Sequence, residues 1–161
     1  MNDMSNLSNA VVSQSLAGRR LENKSVILTG AAGSIGRYIS RHLLREGAKV
    51  TMTGRDPSKL DAFVEELSEE GFDAENITTI VGDCADPQVC RDIVSRAVES
   101  FGKLDVLVNN AGAAGPKYTL RDIPFTDVEM RAAGSDQTMF DSAMNLLGAP
   151  WNMARAAAAH L

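Results

Sequence analysis

The sequence has few cysteines, no long apolar run, no basic surplus and little tyrosine, and each shortage removes a class of function. No apolar stretch approaches the roughly 20 residues of a membrane span, so no membrane partner is expected. The N-terminus lacks a cationic start followed by an apolar stretch, so no secretion signal is expected. The only cysteines, Cys84 and Cys90, have neither metal-ligand spacing nor a disulfide framework around them. A reduced, cytoplasmic setting and no metal are the corresponding expectations. The net charge is −5. No basic stripe offers a footprint for phosphate backbones, so a nucleic-acid partner is not expected. What remains is ordinary for a soluble domain: 44% hydrophobic and 23% charged residues in a chain of 161, long enough for one domain with a core.

Residues 1–20 are rich in Ser and Asn and read as a flexible arm, with a short helix near Val11–Leu16 or a docking role as alternatives. Residues 21–161 are expected to form the domain, and from Lys24 the signals alternate. Ser25–Thr29 is a β-rich run ending at Gly30. Ser34–Gly47 carries Ile35, Ile39, Leu43 and Leu44 at helical spacing. Lys49–Thr53 is a second strand. Pro57–Glu70 is a helix with Asp56 as its N-cap, and Leu60, Phe63, Val64 and Leu67 form its buried face. Ile77–Val81 is a third strand. Asp86–Ser100 is a helix opened by a second Asp-Pro pair, with Ile93, Val94 and Val98 inward. Asp105–Asn109 is a fourth strand, apolar throughout its centre as suits a strand covered on both faces. Residues 113–135 read as a long loop pinned by Tyr118 and Phe125. A last helix is expected from Asp136 to His160, broken near Gly148–Pro150.

The alternation β-α-β-α-β-α-β predicts an α/β fold: a Rossmann-like, doubly wound parallel sheet with right-handed crossovers and strand order 3-2-1-4. Only the N-terminal part of such a sheet is present before a fifth strand would begin. Strand four would then be an apolar edge. The expectation is that the remaining strands come from the same or another chain.

Chemistry concentrates where strand one feeds helix one. Residues 29–36 read Thr-Gly-Ala-Ala-Gly-Ser-Ile-Gly. A dinucleotide diphosphate must approach the backbone closely, and it rests on the unpaired N–H groups at the helix start. Gly30 permits the tight turn and Gly36 lets the helix pack close to the sheet. Gly33, Ser34 and Ile35 complete the candidate cradle. A sugar-2′-hydroxyl site places Asp or Glu about 20 residues further on. This sequence has Thr53-Gly54-Arg55 there. A guanidinium suits a 2′-phosphate and a carboxylate would repel it, so NADP(H) is expected over NAD(H). Lys59 is a possible assistant, or simply an exposed lysine.

Thr29–Gly36, Asp83 after strand three and Asn109-Asn110-Ala111-Gly112 after strand four together resemble the short-chain dehydrogenase/reductases over residues 22–161. The resemblance implies that Asp83 accepts a hydrogen bond from the adenine amino group, with the backbone N–H of Cys84 assisting. Cys84 is then a packing residue rather than a redox centre. It also implies that Asn109 ties neighbouring strands, while Gly112 keeps the floor of the cofactor site open and Asn110 and Ala111 are further cofactor-binding candidates. Gly30, Gly33 and Gly36 also fit the extended epimerase branch. Asn-Asn-Ala-Gly favours the reductase branch instead, and so does Met144-Asn145-Leu146-Leu147-Gly148. In that branch the asparagine inherited by Asn145 holds a water that relays protons to a catalytic lysine. Asn145 is thus the one catalytic candidate. Residues 109–161 are similar, more narrowly, to the N-terminal reductase region of bifunctional malonyl-CoA reductases. That likeness implies a small carbonyl substrate, malonate semialdehyde, reduced with NADPH to 3-hydroxypropionate.

The family's catalytic Ser and Tyr-x-x-x-Lys are not found. Tyr38 is followed four residues later by His42, and Tyr118 by Asp122. Two readings stay open: the cofactor-binding half of an oxidoreductase, or a nucleotide-binding module without catalysis. Related enzymes are homo-oligomers, which makes Met153–His160 either a subunit interface or a close internal contact.

Overall fold

A computed structural model describes residues 19–112 and 144–161. The elements in chain order are β1 (Ser25–Thr29), α1 (Ser34–Arg45), β2 (Lys49–Gly54), α2 (Pro57–Glu69), β3 (Ile77–Val81), α3 (Pro87–Phe101), β4 (Val106–Val108) and, after a π turn at Met144–Gly148, α4 (Ala149–Ala157). The sheet has the order β3-β2-β1-β4, and every pairing is parallel. This is the doubly wound arrangement that the alternation predicts. The chain crosses from β1 outward through β2 and β3, then returns to the other side of β1 for β4. The crevice beyond the strand ends at that reversal is where such sheets bind ligands.

Alternating residues of β1 feed two cores. Val26 and Leu28 pack with Val50, Met52, Leu60, Phe63 and Leu67 on the face covered by α1 and α2. Ile27 packs with Cys90, Ile93, Val94, Ala97, Met153 and Ala157 on the face covered by α3 and α4. Met153 and Ala157 are therefore internal contacts. Within the same helix Trp151 is left 68% exposed.

Both Asp-Pro pairs start helices as expected. Asp56 accepts from the Lys59 N–H and Asp86 from the Gln88 N–H, and each proline falls in the first turn. The inward face of α1 differs from the periodic reading at one position. Of the four apolar residues at helical spacing, Leu44 is buried and Ile39 and Leu43 pack against the core, while Ile35 is 70% exposed; Gly36 and Ser40 are buried in its stead. Close approach to β1 selects small side chains for the contact row, and that row turns Ile35 outward.

Other boundaries shift. Val64 and Val98 are only half-buried. Arg20 belongs to a turn rather than to an arm: its N–H donates to Glu46 at 3.1 Å and its guanidinium pairs with the same carboxylate at 2.8 Å. The break expected near Gly148–Pro150 takes the form of a change from π to α winding at Ala149, with Pro150 in the first α turn. The arm through residue 18, the loop of 113–135 with Tyr118 and Phe125, and the start of the last helix at Asp136 lie outside the described residues.

β4 is shorter than expected because Asp105 does other work. Its carboxylate accepts from the Ser25 N–H at 2.9 Å and pairs with Lys24 at 3.1 Å and Lys103 at 2.9 Å. This ties the entrance of β4 to the start of β1. The Lys103 bond, the Ser25 N–H and Lys24 together hold the Asp105 carboxyl well below the usual aspartate range. A depressed folded pKa contributes stability that is complete above the unfolded value of about 3.9 and lost as pH falls through the folded one. Asp105→Asn is expected to cost about 1 kcal/mol at neutral pH. Urea midpoints of the variant and the parent should converge as the pH drops below about 4. A gap that stays constant down to acid pH would show that the carboxylate's charge plays no part.

Candidate functional site

The site begins with one glycine pressed against another. A Cβ on Gly36 would lie 2.1 Å from the Gly30 carbonyl oxygen and 2.8 Å from that of Ala31. Gly30 itself has a φ of +66°, and a Cβ there would meet the Ala111 Cα at 2.9 Å. Only glycine meets both demands. The result is a turn that delivers the N-terminus of α1 to the ends of β1 and β4.

That N-terminus is left open. Its N-cap, Gly33, offers no side chain, and no acidic residue stands in the first turn. The first turn of any helix has N–H groups without intrahelical partners. In α2 and α3 an aspartate takes one of them at 3.2 Å and 2.7 Å. In α1 no side chain of the cap does so. An anionic group resting on the turn would find N–H donors and the positive end of the helix dipole.

Opposite the turn, Thr29 organises the end of β4. Its hydroxyl accepts from the Asn110 N–H at 3.0 Å and the Ala111 N–H at 2.9 Å, and it donates to the Val108 carbonyl at 3.5 Å. The Asn110 amide donates to the carbonyls of Thr29 at 2.9 Å and Gly30 at 3.2 Å. The strand tie expected of Asn109 is thus made by Asn110. Asn109 instead points to the other face, where its amide donates to the Pro150 carbonyl at 3.4 Å. The alternation of side chains along a strand explains the exchange: one asparagine faces α4 and the next faces β1. Asn152 adds a brace that the sequence did not reveal. Its amide donates to the carbonyls of Cys84 at 3.4 Å and Ala85 at 3.1 Å, fixing the loop after β3.

Between these walls lies a cleft of about 630 Å³, within the range of small-molecule sites. Gly30, Gly33, Ser34, Arg55, Asp83, Cys84, Ala111 and Gly112 all line it. Three other candidates do not. Gly36 acts through packing, Asn110 through its strand tie, and Ile35 is exposed. Asn145 falls in the π turn, and its side chain lies outside the described residues. Lining residues to which the sequence reading gave no site role include Arg37 and Ala149. Arg37 directly follows Gly36 and reads as an ordinary helix-surface arginine, so nothing in the spacing singled it out.

Charge is uneven within the cleft. Arg37, Arg55 and Lys59 line it with Asp56 and Asp83, and Asp56 is engaged as the cap of α2. Arg55 is exposed, with its guanidinium 4.0 Å from Asp83. One Asp83 oxygen accepts from the Ala85 N–H at 3.0 Å. Cys84 is buried, and its thiol is pushed up to about 12, mainly by burial. The Cys90 thiol donates to the Cys84 carbonyl at 3.3 Å. Both thiols therefore stay protonated at neutral pH, and Cys84 packs, as the resemblance implied.

These features have known relatives. The family model described as short chain dehydrogenase matches residues 24–160. The chain belongs to the short-chain dehydrogenase family. A 7alpha-hydroxysteroid dehydrogenase of Bacteroides fragilis is 35% identical over 127 residues, which is 79% of this chain and 44% of that protein. The N-domain of a bacterial malonyl-CoA reductase, solved with NADP, is 39% identical with a TM-score of 0.76, over 89% of this chain and 27% of that one. A short chain dehydrogenase from Burkholderia cenocepacia, solved in complex with NADP, is 31% identical with a TM-score of 0.68, over 88% of this chain and 52% of that one. The chain thus spans less than half the length of the steroid dehydrogenase it matches.

The Thr29 hydroxyl carries a direct test. Thr29→Val keeps the shape and strips two N–H groups of their acceptor, for an expected loss of about 2–4 kcal/mol. Thr29→Ser should recover most of it in the same urea titration. A valine variant as stable as the parent would show that the hydroxyl does not hold the β1–β4 junction.

Proposed function

We propose that this chain is the cofactor-binding half of an NADPH-dependent carbonyl reductase, reducing malonate semialdehyde to 3-hydroxypropionate. The observation that carries the reading is the open N-terminus of α1 at a glycine turn, joined by one cleft to Arg55. The residues fit the cofactor. Gly33 at the N-cap carries no side chain over the start of α1, and the α1 N–H groups would hold the diphosphate there. Asp83 keeps one carboxylate oxygen for the adenine amino group. Arg55 and Lys59 would hold the 2′-phosphate. When bound, NADPH would supply the hydride delivered to the carbonyl carbon. Asn145 is assigned to a water that relays protons. Proton donation to the carbonyl oxygen is assigned to a Ser and a Tyr-x-x-x-Lys beyond these 161 residues, on the same or another chain, because neither Tyr38 nor Tyr118 has lysine four residues on. The substrate follows from the likeness to the malonyl-CoA reductase N-domain. A homo-oligomer is the expected state of the completed protein.

The tyrosine spacing also favours a second reading, a module that binds NADP(H) without turning over. Two measurements separate the readings. Calorimetric titration is expected to show NADPH binding more tightly than NADH, with Arg55→Gln weakening NADPH about tenfold or more and leaving NADH unchanged. Equal binding of both cofactors would sink the NADP(H) assignment. The chain is then mixed with a segment carrying the Ser and Tyr-x-x-x-Lys, and NADPH absorbance is followed with malonate semialdehyde. Oxidation only in the mixture supports the reductase; binding that never leads to turnover supports the module.

A further inference from the structure

Arg37 lines the cleft beside Ser34, Arg55 and Lys59, yet its position just after the glycine turn gives it no assigned role. Its surroundings set it apart from a solvated helix arginine. The guanidinium lies over the Phe63 ring, 4.6 Å from the centroid, and forms an ion pair with Glu66. Its side chain is 27% exposed, against 68% for Arg55. Phe63 is one helical turn beyond Lys59 on α2, so the two share a face of that helix. The side chain of Arg37 therefore crosses from α1 to α2 and stands on the Lys59 and Arg55 side of the cleft. Gly112 and Ala111 stand on the side of β4.

Glu66 does not cancel this arginine outright. The same carboxylate also pairs with Arg41 at 3.2 Å, whose guanidinium lies 5.2 Å from the Phe63 centroid on its own account. Glu66 is thus shared between two cations, and a guanidinium has five N–H donors in a fixed fork. The ring and the carboxylate fix the guanidinium before any ligand arrives, so little side-chain freedom remains to be lost on binding. Arg55, by contrast, is exposed, and among the described residues its ion-pair partner is Asp83 at 4.0 Å.

We propose that Arg37, held by Phe63 and Glu66, is a second guanidinium of the 2′-phosphate subsite and a determinant of the preference for NADP(H). This rests on the reading of the cleft as an NADP(H) site. Selection is then divided between a fixed arginine on α1 and an exposed one after β2. The sequence signal for NADP(H) lies in both.

The test uses the full chain with Arg37→Gln and Arg37→Lys. The probes are NADPH, NADH, 2′,5′-ADP and 5′-AMP, with thermal unfolding of each variant alongside. Arg37→Gln is expected to weaken NADPH and 2′,5′-ADP about tenfold while NADH and 5′-AMP stay within about twofold. Arg37→Lys keeps the charge and should recover part of the loss. An arginine that merely clamps α1 to α2 would weaken all four ligands alike, or none, and either result overturns the proposal. If the parent chain binds 5′-AMP as tightly as 2′,5′-ADP, the NADP(H) reading itself has failed. A parent that discriminates while Arg37→Gln still does so fully sinks only the role of Arg37.

Discussion

The whole arrangement depends on α1 lying against the end of β1 with no side chain between them. The Gly36 Cα sits where a Cβ would overlap the Gly30 carbonyl oxygen at 2.1 Å. From that contact the rest follows in order. The helix start is brought to the strand ends. The contact row of α1 becomes Gly36, Ser40 and Leu44. Ile35 turns outward, and Arg37 is sent across toward α2. Gly33 at the N-cap then leaves N–H groups facing the cleft instead of a capping carboxylate. A helix tuned for its own stability would carry an aspartate there, as α2 and α3 do. The missing cap weakens the helix slightly and opens an anion site.

The second wall of the cleft needs equal rigidity, because β4 is only three residues long and pairs with β1 alone among the described strands. Its ladder is supplemented at both ends. Asp105 ties the entrance, and Thr29 with Asn110 ties the exit. Both ties are hydrogen bonds between a side chain and backbone. They hold the backbone from Asn110 to Ala111 close to Gly30, where that glycine's missing Cβ makes room for it. Behind the sheet, Asn109 and Asn152 bond backbone carbonyls in α4 and after β3. The floor of the cleft is thereby set by amides whose partners lie in three separate segments: the end of β1, the loop after β3 and α4.

Legibility in the sequence tracked how local each signal is. The starts of α2 and α3 were readable because Asp-Pro caps are written in adjacent residues. The strand order was readable because parallel crossovers leave few topologies. The glycine turn was readable because its chemistry is a spacing. Three things were not. On α1 only Ile35 departs from the periodic expectation, because close helix–strand approach selects Gly36 and Ser40 for that part of the contact row. The division of labour between Asn109 and Asn110 depends on which face of the sheet each side chain takes, and a one-residue difference reverses it. Arg37 was missed because its setting is made by Phe63 and Glu66, more than 25 residues away in the chain.

That last case bears on how cofactor preference is encoded. A single arginine after β2 is exposed, so its pairing is screened by water and its side chain must be ordered when a ligand binds. Electrostatic recognition strengthens when the cation is fixed and partly removed from solvent. In this fold the position after Gly36 is aimed at α2 by the same glycine contact that brings the start of α1 to the proposed diphosphate site. An arginine there inherits a defined direction at no extra cost in loop structure. It needs only an aromatic ring and a carboxylate on the facing turn of α2 to hold it, and Phe63 and Glu66 provide both. Under the proposed NADP(H) reading, the geometry of the glycine turn thus predisposes its neighbour to meet the far end of the same ligand.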